Sequence, residues 1–479
     1  MTMTSRRTLA SIVVLGLVIA SCSNDHKPAA ASSSNSSAGA SSSSATTSSS
    51  SSTSTSGADW TTWGHDPARS GGTADGPSAQ GLHQAWTSDA LDGEVYAQPL
   101  VVGNEVIVAT ENNSVYAFDA VTGAPKWQQL HLGDPIAGAS LPCGNVDPVG
   151  ITSTPVADTA SNRLYVVGMM QPAHHELFAL TLDTGAIVFH RGVDGTGSDP
   201  NAQNQRGALA LANGKVYVPF GGRFGDCGDY QGRITAVSAD GSGDPIEYTI
   251  RANREGGLWA PPGIVVAADG SLLVTTGNSD GQSTFDDGNA VIRLSADLGV
   301  VDEFAPSDWP QLNATDGDLG TTSPALLDNN RIFQIGKRGV GYVLDATHLG
   351  DVGGDLHHEQ VCDRVMGGLG HDADVVFVPC TSELKALRIG DSSFTQLWSA
   401  PIHNPGPPIE AAGLVWVLDV QSGTLHAVDH QTGQEVFTAN VGAVTHFSAP
   451  AAGDGTVFVV GDRKIEAFNN ATTADSFAP

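Results

Sequence analysis

The chain is predicted to be all-β: an eight-bladed β-propeller with four-stranded antiparallel blades, its ring closed by an N-terminal strand. Three observations carry that prediction. The segment VYAFDAVTGAPKW, Val115 to Trp127, recurs in degenerate form as ELFALTLDTGAIVF (Glu176 to Phe189) and TLHAVDHQTGQEVF (Thr424 to Phe437). Each copy reads as a strand, a tight turn and a second strand ending in an aromatic. Each is preceded by another half of similar character, and a unit of four short strands buries both faces only by stacking radially on its neighbours.

The upstream halves open near Gln98, Ser153, Gly207, Pro262, Thr322, Gly367, Pro407 and Ser448. The downstream halves fall at Ala117, Ala179, Ala236, Arg293, Val343, Ala386, Ala427 and Ala467. Alternating Val, Ile, Leu and Tyr between Gly, Asn and Asp turns marks short half-buried strands. The interval from Ala117 to Ala179 is about half as long again as that from Ala427 to Ala467. The early units therefore carry longer loops, where function is usually placed.

Trp127, Phe189, Tyr248, Phe304, Trp398 and Phe437 close most units and are expected to pack between blades. The fifth unit lacks such an aromatic. The eighth stops at Ala467-Phe468 with no room for a last strand. The stretch GLHQAWTSDA, with Trp86, supplies the missing piece, and the closed ring leaves no open edge to aggregate.

Composition narrows the class. Against 51 acidic residues there are 22 Lys and Arg, a net charge of −29. That excludes a nucleic-acid partner, which needs a basic footprint. It favours solubility and attracts cations. The abundance of Gly and Pro suits a turn-dense β protein, and a radial repeat lengthens without thickening its core.

Residues 1–21 read as an export signal. Ser5-Arg6-Arg7 precedes an apolar run, Leu9 to Ala20, too short to span a membrane comfortably. Val18-Ile19-Ala20-Ser21-Cys22 resembles a bacterial lipobox, which implies lipidation of Cys22. Residues 22–57 read as a Ser-rich disordered tether, too poor in large apolar side chains to collapse. Residues 58–479 form the propeller. The expected product is a monomer outside the cytoplasm, held at the outer face of the cell membrane by its lipid alone.

Four further cysteines remain: Cys143, Cys227, Cys362 and Cys380. In an exported chain an even number implies disulfides. Three pairings are open. We favour Cys143–Cys227, joining long loops of neighbouring early units, with Cys362–Cys380 closing a short loop. Zinc fits poorly, since no Cys-x-x-Cys pair exists.

The repeated YAFDAVTGAPKW pattern resembles the tryptophan-docking repeat of pyrroloquinoline quinone (PQQ) propellers, over roughly Trp60 to Phe468. That family holds calcium- and PQQ-dependent alcohol dehydrogenases as well as non-enzymatic envelope lipoproteins, so the repeat implies a fold and not an activity. The run GGLWAPPGIVVAADGSLLVTTGNSDG resembles the dehydrogenase segment that places a Trp beneath the quinone and an Asn on the calcium. The resemblance implies those roles for Trp259 and Asn278. An indole can stack on a planar tricyclic group, and an amide oxygen suits a hard cation. DWPQLNATDGDLGTTSPALL resembles the stretch that supplies the catalytic Asp near the metal. It implies Asp318 or Asp316 as the base, with Asp318 also a metal ligand. FQIGKRGVGYVLD resembles the segment whose cation touches the quinone oxygens, which implies that role for Lys337.

The sequence also departs from that pattern. Vicinal Cys-Cys is absent. The calcium-binding Glu has no clear counterpart in GGRFGDCGDYQG, where Asp226 and Asp229 are only nearby. No Cys-x-x-Cys-His haem site exists, so electrons would need an external acceptor. By register Gln98, Arg206, Trp259, Thr322 and His446 are expected at the central funnel, with Arg206 a further candidate to hold the cofactor. His174-His175 and His357-His358 read as loop pairs whose members point apart and share no metal. Gly277 to Gly281 (GNSDG) fits the letters G-x-S-x-G, but turn and strand follow it where a nucleophile elbow needs a helix. Two readings follow. One is a quinoprotein-like oxidoreductase using PQQ and calcium on a small-molecule alcohol or polyol. The alternative is a cofactor-free propeller that engages an envelope protein as a binding or assembly module.

Overall fold

The computed structural model describes residues 59–470. The export signal, Cys22 and the Ser-rich stretch lie outside the described residues. The described residues form eight small sheets that follow the chain in order. Blade one illustrates the unit: Leu100–Val102, Glu105–Ala109, Val115–Asp119 and Pro125–Gln129 pair antiparallel, innermost to outermost. Blades two to seven repeat it, starting at Val156–Asp158, Ala210–Ala212, Val265–Val266, Ala325–Leu326, Gly370–Asp372 and Ile409–Ala411. The longest helix among the described residues is Trp309–Ala314, and none is long and apolar enough to cross a membrane.

Blade eight takes three strands from the C-terminal end: Ala451–Gly453, Thr456–Gly461 and Lys464–Asn470. Its outermost strand is Leu82–Thr87, which pairs antiparallel with Lys464–Asn470 through Gln84↔Phe468 and Trp86↔Ala467. The N-terminal strand thus closes the ring. Three short strands extend blades at their margins, namely Gln203–Asn204 on blade three, Asp351–Val352 on blade four and Gly72–Thr73 on blade seven.

The closing aromatics explain why blades adhere. Trp86 lies on Gly123 in the turn of blade one and donates from Nε1 to Ala120 O at 3.0 Å. Trp127 lies on Gly185 of blade two, and Trp398 lies on Gly433 of blade seven. At Gly123 the backbone is left-handed (φ 69°), and a Cβ would sit 2.6 Å from the indole of Trp86. The turn glycine therefore serves both the backbone conformation and the docking of a ring from the preceding blade. Between blades, buried side chains interdigitate: Leu100, Ile107 and Ala117 of blade one meet Leu164, Val166 and Phe178 of blade two in one cluster.

Two disulfides join Cys143 to Cys227 and Cys362 to Cys380. One sequence reading is corrected: the His pairs are not in loops. His174 and His175 begin the strand His174–Thr181, and His357 and His358 begin His357–Gln360. Their neighbours do point apart. The His175 ring is buried against Asp194 at 2.7 Å, whereas His174 is partly open to solvent.

Candidate functional site

A cavity of about 350 Å³ collects residues that the chain delivers between Asn145 and Phe447. Links and turns of several blades feed it, as expected where inner strand ends converge. Trp259 arrives on the link between blades three and four. It fits because Gly221 lies against it, where a Cβ would be 2.8 Å from Trp259 Cβ. Gly277, just beyond the blade-four strand Leu272–Thr275, allows a second close approach. A Cβ there would lie 2.7 Å from Asp318 Oδ1 and 3.1 Å from Trp259 Nε1. The missing side chain thus lets the indole and the carboxylate share one end of the cavity.

Asp318 is 4% exposed. Its Oδ1 accepts the backbone N–H of Asn278 at 2.7 Å, and its Oδ2 accepts from Lys337 Nζ at 3.0 Å. Lys337 also donates to Asp316 Oδ1 at 2.6 Å. Burial pushes the Asp318 carboxyl up; Lys337 and the Asn278 N–H pull it back without cancelling the effect. Burial alone would lower Lys337, but Asp318 and Asp316 outweigh it and hold the ammonium above its ordinary range.

The same cavity has a basic lining as well. The Arg206 guanidinium lies over the rings of Tyr96 and Phe447, 5.5 and 5.3 Å from their centroids. Arg223 is buried and donates to the backbone carbonyls of Asn201 and Pro200. Burial lowers it to about 10, so it stays charged at neutral pH. Arg364 reaches the same cavity from the segment before blade six. None of these three guanidinium groups has a carboxylate partner among the described residues, although acidic residues outnumber basic ones more than twofold.

Trp259, Asn278, Asp316, Asp318, Lys337, Arg206 and His446 therefore line one cavity. Gln98 and Thr322 do not, and that expectation is corrected. Gln98 Oε1 accepts from Trp60 Nε1 and Gly64 N, and Thr322 Oγ1 donates to Ile335 O. Their polar atoms are used up holding inner strand ends together. Asp226 reaches the cavity and accepts from the Tyr230 hydroxyl at 2.6 Å; Asp229 is fully exposed and does not. Glu255 and Arg223 were missed. Glu255 Oε2 accepts from Asn278 Nδ2 at 3.1 Å, a contact created by isolated bridges from Glu255 to Gln231 and Ser279. No local pattern announces such pairings. Arg223 lies in GGRFGDCGDYQG, where nothing local marks it as a cavity residue.

A family model described as outer membrane protein assembly factor BamB matches residues 79–147 and 370–476. Among solved structures, quinohemoprotein alcohol dehydrogenase from Comamonas testosteroni aligns with TM-score 0.69 at 16% identity, over 87% of this chain and 81% of that one. A europium-containing methanol dehydrogenase aligns with TM-score 0.66 at 14% identity, over 86% and 98%. BamB from Moraxella catarrhalis aligns with TM-score 0.54 at 16% identity, over 81% and 97%. The chain shares the β-propeller fold of these proteins, and two of its stretches match the family model. No curated protein matches it. At these identities the structural likeness speaks for the fold alone, and the family match leaves out the segment with Trp259, Asn278, Asp318 and Lys337.

The cavity of this propeller fits a planar anion such as PQQ. It offers an indole face, an ammonium and three guanidinium groups that lack a carboxylate partner among the described residues. Its donor set does not fit calcium as arranged. Both Asp318 oxygens are engaged, and the Asn278 amide presents its N–H to Glu255. Glu255 Oε1 pairs with Arg254. Among the described residues no three His, Cys, Asp or Glu side chains are grouped to hold a metal.

Proposed function

We propose that this propeller is an exported, Cys22-anchored quinoprotein-like oxidoreductase that binds PQQ, or a planar anion like it, in the axial cavity. One observation carries the reading: Arg206, Arg223 and Arg364 face the same cavity as Trp259 with no carboxylate in ion-pair contact among the described residues, in a chain of net charge −29. Part-buried cations left unpaired are costly, and an anionic ligand would supply their partner. Bound PQQ would supply the two-electron acceptor for oxidation of an alcohol or polyol.

The chain's own residues have separable tasks. Trp259 gives a flat apolar face. The guanidinium groups fix carboxylates. Asp318, oriented by Asn278 and Lys337 and raised by burial, is placed to take the hydroxyl proton. Lys337 keeps its proton and stabilises negative charge developing beside it.

The test is titration of the full chain with PQQ, with and without calcium, followed by quinone absorbance, melting temperature and dye-linked alcohol oxidation. Binding to the folded state should raise the melting temperature by mass action, and oxidation should follow. Absence of any shift at saturating PQQ rejects the reading. It would leave the cofactor-free binding module, with an envelope protein as partner. That second reading draws on the BamB match, which falls on residues 79–147 and 370–476 and so outside the residues at the Trp259 end of the cavity.

A further inference from the structure

Near the basic lining lies an acid that the proposed reaction does not use. Glu111 sits in the turn between the blade-one strands Glu105–Ala109 and Val115–Asp119 and is 1% exposed. Its Oε2 accepts the backbone N–H of Gly150 at 2.7 Å. Gly150 must be glycine here, because a Cβ would run into the backbone carbonyl of Glu111. Its Oε1 is buried with no hydrogen-bond partner among the described residues, and the nearby Thr152 hydroxyl opposes the rise of its carboxyl.

No ion pair joins Glu111 to a cation among the described residues. The charges that act on it are those of Arg206 and Arg223, both lining the axial cavity. A buried carboxylate without a contact partner stays ionised only in such a field. An anion bound against the two guanidinium groups cancels that field. The cheapest response is protonation of the carboxylate, since an uncompensated buried charge is far more costly than a neutral acid.

We propose that Glu111 is the proton-accepting partner of the cavity's anion site: when an anionic ligand settles on Arg206 and Arg223, Glu111 takes up one proton from solvent. The inference rests on the anion-binding reading above but not on any redox activity. The other titratable groups around the site are poor acceptors. The Tyr96 phenol, beneath Arg206, is pushed up by burial and by Glu111, and Glu94 adds to this; it therefore stays neutral. His446, across Phe447, is pushed down by burial and by Arg206 and Arg364, so it resists a second charge. Glu111 itself is raised by burial to about 7, although the Gly150 N–H and both guanidinium groups oppose this. It therefore begins near half-titration at neutral pH.

Two measurements on the full chain test the proposal. The first is calorimetry of PQQ binding at pH 7.5 in buffers of different ionisation enthalpy. The wild type should take up a proton, bind about tenfold more tightly at pH 6 than at pH 8, and lose both properties in Glu111→Gln. The second needs no ligand: the side-chain carboxyl ¹³C resonance of Glu111 is titrated in the wild type and in Arg206→Gln. Removing the cation should raise the midpoint. If PQQ binds without proton uptake, or Glu111→Gln keeps the pH dependence, the proposal falls while the cofactor reading stands. If PQQ does not bind the wild type at any pH, the cofactor reading falls. The resonance then decides alone: an unmoved midpoint in Arg206→Gln overturns the role of Glu111, and a raised one upholds it.

Discussion

Lys337 Nζ lies 3.0 Å from Asp318 Oδ2 while the other Asp318 oxygen is held by a backbone N–H, so one ammonium compensates a carboxylate that is almost entirely buried. Lys337→Gln removes that compensation. Asp318 should then be driven further toward its neutral form, because burial already raises it. We expect a stability loss of about 1–3 kcal/mol, less than for a fully buried pair because Lys337 is itself part-exposed. Any Asp318-dependent oxidation should shift its pH profile to the alkaline side. Urea denaturation and a pH–rate profile check the two halves separately.

Trp259 should matter for ligand and little for fold. It is only half-buried, and its ring neighbour is Phe447 at 6.3 Å, which lines the same cavity. Trp259→Ala is expected to weaken PQQ binding at least tenfold while lowering the ligand-free melting temperature only slightly. Trp259→Phe should recover part of the affinity, because a smaller ring still stacks. Equal affinity in all three proteins would remove the indole from the site.

The propeller was legible in the chain because its signals are local. A strand, a turn glycine and a closing aromatic lie within one repeat, and the missing strand at Ala467-Phe468 pointed back to Trp86. That Trp259, Asn278, Asp318 and Lys337 meet in one cavity was legible through resemblance of short segments. The rest of the site was not. Glu255 meets Asn278, and Glu111 meets Gly150, through turns that only the assembled ring brings together. Gln98 and Thr322 had the right register, yet register says nothing of which polar atoms a neighbour already satisfies.

The two disulfides should differ in what they give to stability. Cys143 and Cys227 are 84 residues apart, Cys362 and Cys380 only 18. In the chain-entropy account the longer loop gains more, about 4–5 against about 3 kcal/mol. Replacing Cys143 and Cys227 by Ser should thus lower the melting temperature further. Both bridges bear on the cavity, since Asn145 and Asp226 beside the long one line it as well. Val365 pairs with Cys380, and the flanking Arg364 and Met366 both line the site. Replacing either pair should therefore weaken PQQ binding several-fold, with the smaller melting shift for Cys362 and Cys380. Unchanged affinity after replacing Cys362 and Cys380 would show that the short loop holds its shape without the bond.

Ring closure can be probed at one turn. Gly123→Ala places a methyl group 2.6 Å from the Trp86 ring and strains a left-handed backbone. Gly103→Ala, also left-handed (φ 54°), meets nothing within 4 Å. The control should cost about 1 kcal/mol, the backbone term alone. Gly123→Ala should cost about 2–4 kcal/mol, since the closing strand Leu82–Thr87 must shift with its Trp. Similar losses would mean that Trp86 is not what fastens the ring.

Glu410 gives the pH dependence of stability its sign. It lies on the innermost strand of blade seven, 8% exposed, with Oε1 accepting the Gly413 N–H at 2.6 Å. Burial raises its carboxyl to about 7, the Gly413 N–H opposes this, and Asp372 adds to it. A carboxyl raised in the folded state favours folding while protonated. Its contribution is complete below the unfolded value of 4.5 and is lost as pH rises through about 7. Glu111 acts in the same direction over the same window. Unfolding free energy should therefore fall between pH 5 and pH 8, by on the order of 1.4 kcal/mol per pH unit for each group until its folded midpoint is passed. Glu410→Gln should flatten its own share, and a double change with Glu111→Gln should flatten most of the rest. Urea titrations at pH 5 and pH 8 decide this: equal stability of the wild type at both values would mean that these carboxyls ionise in the folded chain as readily as in the unfolded one.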